Sequence, residues 1–368
     1  MKRVIAVVFI IYCCAVNGQS NEAIRDKSYK TAISKAKAFI DSLQAKQDIP
    51  GMSVCVGSKD KILWAEGFGF ADLENKTRVT INSRFRMGSV SKMLTTLAIG
   101  LLYQEGKWDL DAPVQKYLPA FPEKKYPITS RQLAGHTAGI RHYRKTDPLA
   151  TPRRYTSVQE ALWIFKDDSL LFKPGTGYNY STYGYCLLSA VAEAVSGTDF
   201  LSFMRDSIFA RLGMTNTIAD YSDSIVPGRV RFYEHSKKQL VNAALVDNSY
   251  KWAAGGFLST PVDLVNMSRS LINHTLLNEK TVQLLFTSQH LDDGKDIHVG
   301  IGWRNNTDKK GRTIIHHGGA IDGGRTFLMF YPDQGLIVAI AANMSGVNIN
   351  LDEAATIAGY FFDEMKRP

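Results

Sequence analysis

The sequence predicts an α/β (α+β) fold, in which a central antiparallel sheet of about five strands is flanked by N- and C-terminal helices and carries an inserted, mostly helical domain. Three observations predict this arrangement: two strand-like runs lie near the start of the chain, three lie near its end, and the middle is helical and rich in turns. The chain has 368 residues, of which 45% are hydrophobic and 21% charged, so it can bury a large core. This composition excludes disordered, collagen-like and disulfide-scaffold proteins.

The first element is an amphipathic helix over residues 27–47. Apolar residues recur every three or four positions along it, and the pattern stops just before Pro50-Gly51. Two strand-like runs follow, at residues 52–58 and 61–72, and a short turn separates them. A connection this short favours an antiparallel pair.

The far end of the chain mirrors this pattern. Strand-like runs at residues 313–319, 326–332 and 336–344 are joined by a glycine-rich stretch and by Pro332-Asp333-Gln334-Gly335. A terminal helix is expected from Leu351 to Met365. The simplest sheet therefore takes two strands from the start of the chain and three from its end, with the terminal helices covering a face.

The middle of the chain is the predicted insertion. We assign residues 19–100 and 279–368 to the sheet domain and residues 101–278 to the mostly helical domain, in which many prolines mark turns. A cleft between an insertion and its parent sheet is a natural place for a small-molecule or peptide substrate.

Residues 1–18 have the features of a secretory signal peptide. Lys2 and Arg3 precede an apolar run from Val4 to Val16, and a short small-residue exit ends at Gly18. The apolar run has 13 residues, whereas a membrane-spanning helix needs about 20. We therefore expect a secreted or periplasmic protein with no integral membrane span after signal cleavage.

The charge and the cysteines of the chain argue against some classes of protein. The 44 basic and 35 acidic residues give a formal net charge of +9, but the basic residues occur in pairs at most, so no nucleic-acid partner is expected. Cys55 and Cys186 each lie in an apolar run, which indicates core residues, with a disulfide as the less favoured alternative. The sequence makes no prediction of the oligomeric state.

A serine followed three residues later by a lysine places both side chains on one face of a helix, where a neutral amine can activate the hydroxyl. The pattern occurs at Ser34, Ser58 and Ser89. Ser34 falls on the polar face of the first helix and Ser58 falls in a hairpin turn, so both settings are solvated.

Ser89 differs because it opens a strongly apolar helix that ends at Gly106. The N–H groups and the dipole at a helix N-terminus can stabilise an oxyanion. Burial of Lys92 against apolar neighbours disfavours its charged form, so the lysine can act as a base. The alternative is an N-cap serine with a lysine that reaches to solvent.

Two further segments add candidate residues. Tyr180 ends a turn-rich segment just before an apolar helix, where its hydroxyl could transfer a proton or simply be a satisfied, partly buried group. The segment His316-His317-Gly318-Gly319-Ala320 ends a strand-like run, and its glycines allow a substrate close to the backbone. Asp322 is the one further metal-ligand candidate nearby, and no H-x-H-x-D, H-E-x-x-H or C-x-x-C pattern occurs, so we expect no metal and no cofactor.

These three motifs, in this order, resemble the penicillin-recognising serine hydrolases, a family of class C β-lactamases, DD-peptidases and related esterases and aminopeptidases. Ser89-Val90-Ser91-Lys92 matches S-x-x-K, Tyr180-Ser181-Thr182 stands where Y-x-N is usual, and His317-Gly318-Gly319 stands where K-T-G or H-x-G is usual. The resemblance covers nearly the whole mature chain. The stretches GSVSKMLT, HTAGIRHY and VDNSYKWAAGGFLST are similar to the branch that includes the animal mitochondrial serine β-lactamase-like protein.

The resemblance implies a β-lactamase/transpeptidase-like fold and hydrolysis through a covalent acyl-enzyme. Ser89 would be the nucleophile, Lys92 its base, and Tyr180 the group that protonates the leaving group. The N–H groups of Ser89 and Ala320 would form the oxyanion hole. His317 would line the pocket and orient Tyr180 or the substrate.

Two positions depart from the family motifs. Thr182 replaces an asparagine, and His317 replaces the lysine that supports recognition of a substrate carboxylate in β-lactamases. We therefore expect a peptidase or esterase, with a true class C-type β-lactamase or a catalytically retired peptide- or peptidoglycan-binding protein as alternatives. An α/β-hydrolase is disfavoured because the chain has no G-x-S-x-G elbow. Walls built by the helical domain and by residues 247–252 are expected to select the substrate.

Overall fold

The computed structural model describes residues 22–147 and 153–365; the predicted signal peptide at residues 1–18 lies outside the described residues. The strands are β1 (Ile24–Arg25), β2 (Gly51–Gly57), β3 (Ile62–Asp72), β4 (Thr77–Arg78), β5 (Phe85–Arg86), β6 (Ile218–Ala219), β7 (Tyr233–Ser236), β8 (Gln239–Asn242), β9 (Phe257–Ser259), β10 (Arg304–Thr307), β11 (Thr313–Ile321), β12 (Gly324–Tyr331) and β13 (Leu336–Ala342). The α-helices are α1 (Lys30–Lys46), α2 (Ser91–Gln104), α3 (Ser130–Ala134), α4 (Val158–Leu162), α5 (Thr182–Ser196), α6 (Phe200–Phe203), α7 (Trp252–Gly255), α8 (Pro261–Ile272), α9 (Glu279–Phe286) and α10 (Leu351–Met365).

The main sheet is antiparallel throughout, in the order β1-β3-β2-β13-β12-β11-β10, and β4 pairs with β3. The five predicted strands correspond to β2, β3, β11, β12 and β13, so the predicted fold class is confirmed. Three short strands, β1, β4 and β10, extend the sheet beyond the prediction. The two ends of the chain meet at its centre, where β2 pairs with β13.

The terminal helices pack together against one face of the sheet. The predicted helix over residues 27–47 is observed as a 3₁₀ turn at Lys27–Tyr29 followed by α1, and α10 has the predicted bounds. Both faces of the sheet are buried: Val54 and Val56 contribute to the core shared with α1 and α10, whereas Cys55 between them contributes to the core on the opposite face.

The opposite face carries α8 and the remaining helices. A Cβ atom on Gly57 would lie 2.5 Å from Val265, which shows how closely α8 approaches the sheet. Helix α8 lies within residues 101–278, yet it packs against β2 and β13; the division of the chain into two domains stays a prediction. Cys55 and Cys186 are both buried, and neither forms a disulfide within the part of the chain that the structure describes.

A three-stranded sheet, in the order β5-β9-β6, joins the helical segments to the main sheet. Strand β5 runs into the turn that carries Ser89, and β9 directly follows α7. Because β5 and β9 pair, the C-terminal end of α7 is held beside Ser89.

Within the described residues, no single helix is long and apolar enough to cross a membrane. In the same described part of the chain, α5 and the helical segment Phe200–Phe209 reach the required length and hydropathy together, and this pair is bent by 77°.

Candidate active site

Ser89 lies in a one-turn 3₁₀ helix, Gly88–Val90, between β5 and α2. Gly88 has a φ of +49°, and a Cβ atom there would lie 2.9 Å from the backbone nitrogen of Ala320, so glycine suits both the backbone conformation and the close approach. Helix α2 begins two residues after Ser89 and has no side-chain N-cap hydrogen bond. Ser89 is therefore not an N-cap, and its hydroxyl is available to other side chains.

Lys92 is fully buried in the first turn of α2. Its Nζ atom donates hydrogen bonds to Ser89 Oγ at 3.3 Å and to the carbonyl of Ala254, at the end of α7, at 2.9 Å. It also lies 4.9 Å from the centre of the Tyr180 ring. The amine is thus fixed beside the serine, and it does not reach solvent as the N-cap interpretation would require.

Tyr180 completes the contacts of the serine, since its hydroxyl donates to Ser89 Oγ at 2.8 Å. The residues around Tyr180 are anchored by their own hydrogen bonds. Ser181 N-caps α5 by accepting from Gly184 N–H, and its hydroxyl donates to the carbonyl of Arg141 at 2.7 Å. Tyr180 is therefore presented from the last residues before a fixed helix.

The two other Ser-x-x-Lys pairs have no such setting. Lys37, three residues after Ser34, forms an exposed ion pair with Asp41. Ser58 Oγ accepts from backbone N–H groups within its own hairpin turn. The interpretation of both as solvated positions agrees with these contacts.

Thr182 is the buried first residue of α5 and lies beside His142. The backbone N–H of Thr182 donates to Nδ1 of His142 at 3.2 Å. Burial, aided by the charge of Lys92, lowers the pKa of His142 to about 4, which keeps Nδ1 able to accept this bond.

Strand β11 passes beside the serine turn. A Cβ atom on Gly319 would lie 2.0 Å from the carbonyl oxygen of Met87 and 3.2 Å from the backbone nitrogen of Ser89. Gly318 packs instead against the Phe327 ring. The glycines of this motif thus let the strand contact the turn and bring Ala320 beside Ser89.

His317 is buried next to this contact. Its Nδ1 lies 2.7 Å from the carbonyl oxygen of Gly318, and its ring centre lies 6.2 Å from that of Tyr180. Burial, followed by the charges of Lys92 and Arg304, lowers its pKa well below the usual range. His317 therefore adds a neutral ring behind Tyr180.

A cavity of about 510 Å³ opens onto Ser89. Four predicted site residues line it, namely Ser89, Tyr180, Thr182 and Ala320. Lys92 lies beneath the serine, and His317, Gly318 and Gly319 support the wall without being among its lining residues.

Other lining residues were missed as site candidates by the sequence analysis: His142, Tyr143, Tyr250, Lys251, Asp322 and Ser345. Tyr250 and Lys251 fall within residues 247–252, which were expected to build walls. His142 lies in the stretch HTAGIRHY, so the family resemblance offered a signal for it. The sequence analysis considered Asp322 only as a possible metal ligand near His316 and His317.

A second groove and the question of a metal site concern the rest of the structure. A larger groove of about 990 Å³, lined by residues such as Arg84, Phe232 and Leu245, contains none of the predicted site residues. Among residues 22–147 and 153–365, no group of three or more histidine, cysteine, aspartate or glutamate side chains is placed to hold a metal ion.

Comparisons of the sequence and the structure with known proteins all find β-lactamase-like or penicillin-binding-protein-like relatives. A family model described as Beta-lactamase matches residues 36–358. The human serine beta-lactamase-like protein LACTB, mitochondrial, is 29% identical, covering 88% of this chain and 79% of the relative. A D-aminopeptidase from Gluconobacter oxydans is 27% identical, covering 84% of this chain and 58% of the relative. The structure of the octameric penicillin-binding protein homologue from Pyrococcus abyssi superposes with a TM-score of 0.79 at 23% identity, covering 91% of this chain and 78% of that one.

The location expected from the sequence is corrected by these relatives. We expected a secreted or periplasmic protein, but the similar LACTB proteins of human, mouse and cattle are all mitochondrial by name. The expectation was wrong because it rested on residues 1–18 alone, where an apolar run after two basic residues was interpreted as a secretion signal.

Proposed function

We propose that this chain, which belongs to the β-lactamase family, is a serine acyl hydrolase that forms a covalent acyl-enzyme on an amide or ester. One observation carries the proposal: Lys92 Nζ and the Tyr180 hydroxyl both lie within hydrogen-bonding distance of Ser89 Oγ, at 3.3 and 2.8 Å. A nucleophile flanked by a base and a second proton-transfer group is the arrangement that acyl transfer requires.

In the acylation step, Ser89 Oγ attacks the substrate carbonyl carbon and its hydroxyl proton passes to Lys92 Nζ, which must offer a free lone pair at that moment. The carbonyl oxygen becomes negatively charged, and the N–H groups of Ser89 and Ala320 stabilise it. Each such donor is typically worth about 2.7–4 kcal/mol. Tyr180 then gives its proton to the leaving nitrogen or oxygen as the bond to the carbonyl carbon breaks, and Lys92 returns a proton to Tyr180.

In the second step a water molecule replaces the leaving group. It attacks the ester formed with Ser89, loses a proton to the Lys92–Tyr180 pair, and releases the acid as Ser89 Oγ regains its proton. The contact from Lys92 to the Ala254 carbonyl holds the amine in place through both steps.

The substrate is proposed to be a peptide, amide or ester rather than a β-lactam. Thr182 offers a hydroxyl where the family motif has an amide, and a hydroxyl provides fewer hydrogen bonds than an amide does. The neutral, buried ring of His317 stands where β-lactamases have a lysine. The D-aminopeptidase relative supports a peptidase-like activity.

Labelling with a fluorophosphonate probe tests this function. The probe should label the wild-type protein, and labelling should be lost in Ser89→Ala and in Lys92→Ala. Ser34→Ala, in the exposed Ser-x-x-Lys pair, is the matched control and should label like the wild type. Turnover of ester, peptide and β-lactam substrates would then rank the substrate classes. A folded wild-type protein that stays unlabelled would favour the retired binding protein instead.

A further inference from the structure

The cavity beside Ser89 contains a second lysine that the proposed reaction does not use. Lys251 precedes α7 and lines the cavity, although only 8% of its surface is exposed. Within the described residues, its ammonium group has no hydrogen-bond acceptor and no ion-pair partner. Its Nζ atom lies over the Tyr250 ring, 4.9 Å from the ring centre.

An ammonium group has three donors, and its burial without acceptors costs free energy. Burial lowers the pKa of Lys251 to about 8; Asp322 opposes this shift, and the charge of Arg86 adds to it. The lysine is therefore still mostly charged at neutral pH. A negatively charged ligand would supply the missing acceptors and remove the cost.

Lys251 is also close to the nucleophile. A Cβ atom on Gly255 would lie 3.6 Å from Cδ of Lys251 and 3.7 Å from the carbonyl carbon of Gly88. The Lys251 side chain and the turn that carries Ser89 therefore both lie next to Gly255, the last residue of α7. A ligand in this cavity can contact the lysine while its carbonyl group lies at the serine.

We propose that Lys251 binds a carboxylate carried by the substrate, close to the carbonyl that Ser89 attacks. This inference rests on the proposed function and names the substrate class, an acyl compound with a free carboxylate. Asp322 lines the same cavity but is exposed, so solvent and salt screen its charge more than the charge of the buried lysine.

Binding measurements in a Ser89→Ala background test the proposal without requiring turnover. Two probe pairs are compared by calorimetry: hippuryl thioglycolate with its methyl ester, and the glutaryl thioester of N-acetylcysteamine with its methyl ester. The first acid carries its carboxylate on the leaving group and the second carries it on the acyl group. In at least one pair the acid should bind about 10-fold or more tightly than the ester, as expected for a charge-assisted hydrogen bond.

The acid-to-ester ratio should fall to about one when Lys251→Met is added. Lys280→Met removes the same charge from an exposed position and should keep the ratio. Lys251→Gln provides a second variant if the methionine impairs folding, which thermal melting would reveal. A ratio near one in both pairs with Lys251 intact, or a ratio that survives both substitutions, would overturn the proposal.

The two proposals fail in different ways. If the wild-type protein takes no fluorophosphonate label but the acid still binds through Lys251, the hydrolase proposal is wrong and the carboxylate site stands. If the label reacts at Ser89 and the acids show no preference, the carboxylate site is wrong and the hydrolase stands.

Discussion

The ring of His136 accepts a hydrogen bond from the backbone N–H of Ser181 at 3.2 Å, and the carbonyl of His136 accepts one from Asn179 N–H at 2.9 Å. The two bonds hold the residues on either side of Tyr180. Burial, followed by the charge of Lys92, lowers the pKa of His136 well below its usual range, so Nδ1 can keep accepting. His136 therefore positions Tyr180 without contacting Ser89.

His136→Asn should slow fluorophosphonate labelling and reduce kcat by about 10- to 100-fold, because a displacement of Tyr180 by about 1 Å is enough to do so. Asparagine tolerates the φ of +63° at this position, so the fold should persist. KM should change less than kcat. His274→Asn is the matched control, since His274 is exposed and has a φ of +53°. Equal labelling rates in the two variants would contradict the positioning role.

Gly319→Ala should separate β11 from the serine turn. Its Cβ would lie 2.0 Å from the Met87 carbonyl oxygen, so either the strand or the turn must move. Ala320 N–H would then leave the position proposed for the oxyanion, and the labelling rate should fall about 100-fold, as it does when an oxyanion donor is removed. A Cβ atom on Gly359 in α10 would have no neighbour within 4 Å among the described residues apart from its own helix backbone, so Gly359→Ala should label normally. Normal labelling of Gly319→Ala would show that this contact is not needed.

The features that sequence analysis predicted well are those encoded locally. The strand-like runs predicted the five long strands and the helical pattern predicted α10. The three motifs named Ser89, Lys92 and Tyr180 as candidates, and their side chains lie together in the structure. The two-residue strands β1 and β4 are too short to show any periodicity, so they could not be predicted.

The walls of the site were harder to predict because they depend on tertiary packing. Lys251 lies in the segment 247–252 that was expected to build a wall, but nothing in the sequence marks its own burial, which follows from the pairing of β5 with β9. Asp322 reaches the cavity only because Gly319 lets β11 contact the serine turn. Neither contact leaves a local pattern in the chain.

Acid should destabilise the fold through its buried histidines. Burial lowers the pKa of His136 and His317 well below the usual range, and that of His142 and His316 to about 4. A histidine with a lowered folded-state pKa contributes stability above its unfolded pKa of about 6.5, and that contribution is lost as the pH falls toward the folded value. The free energy of unfolding should therefore decline between pH 6.5 and about 4. Asp263 acts in the opposite direction, since burial raises its pKa to about 6.

His316→Gln should make this decline shallower. The Nε2 atom of His316 lies 2.6 Å from Asn306 Oδ1, and its Nδ1 is buried without a partner among the described residues, so a second proton on the ring finds no acceptor there. A glutamine can still donate to Asn306 but does not titrate, which should remove about 2–3 kcal/mol of the acid-induced loss. Urea unfolding at pH 7.5, 6.5, 5.5 and 4.5 measures the slope. His235→Gln, at an exposed position, should leave the slope as in the wild type, and the same slope for His316→Gln would show that His316 does not contribute to acid sensitivity.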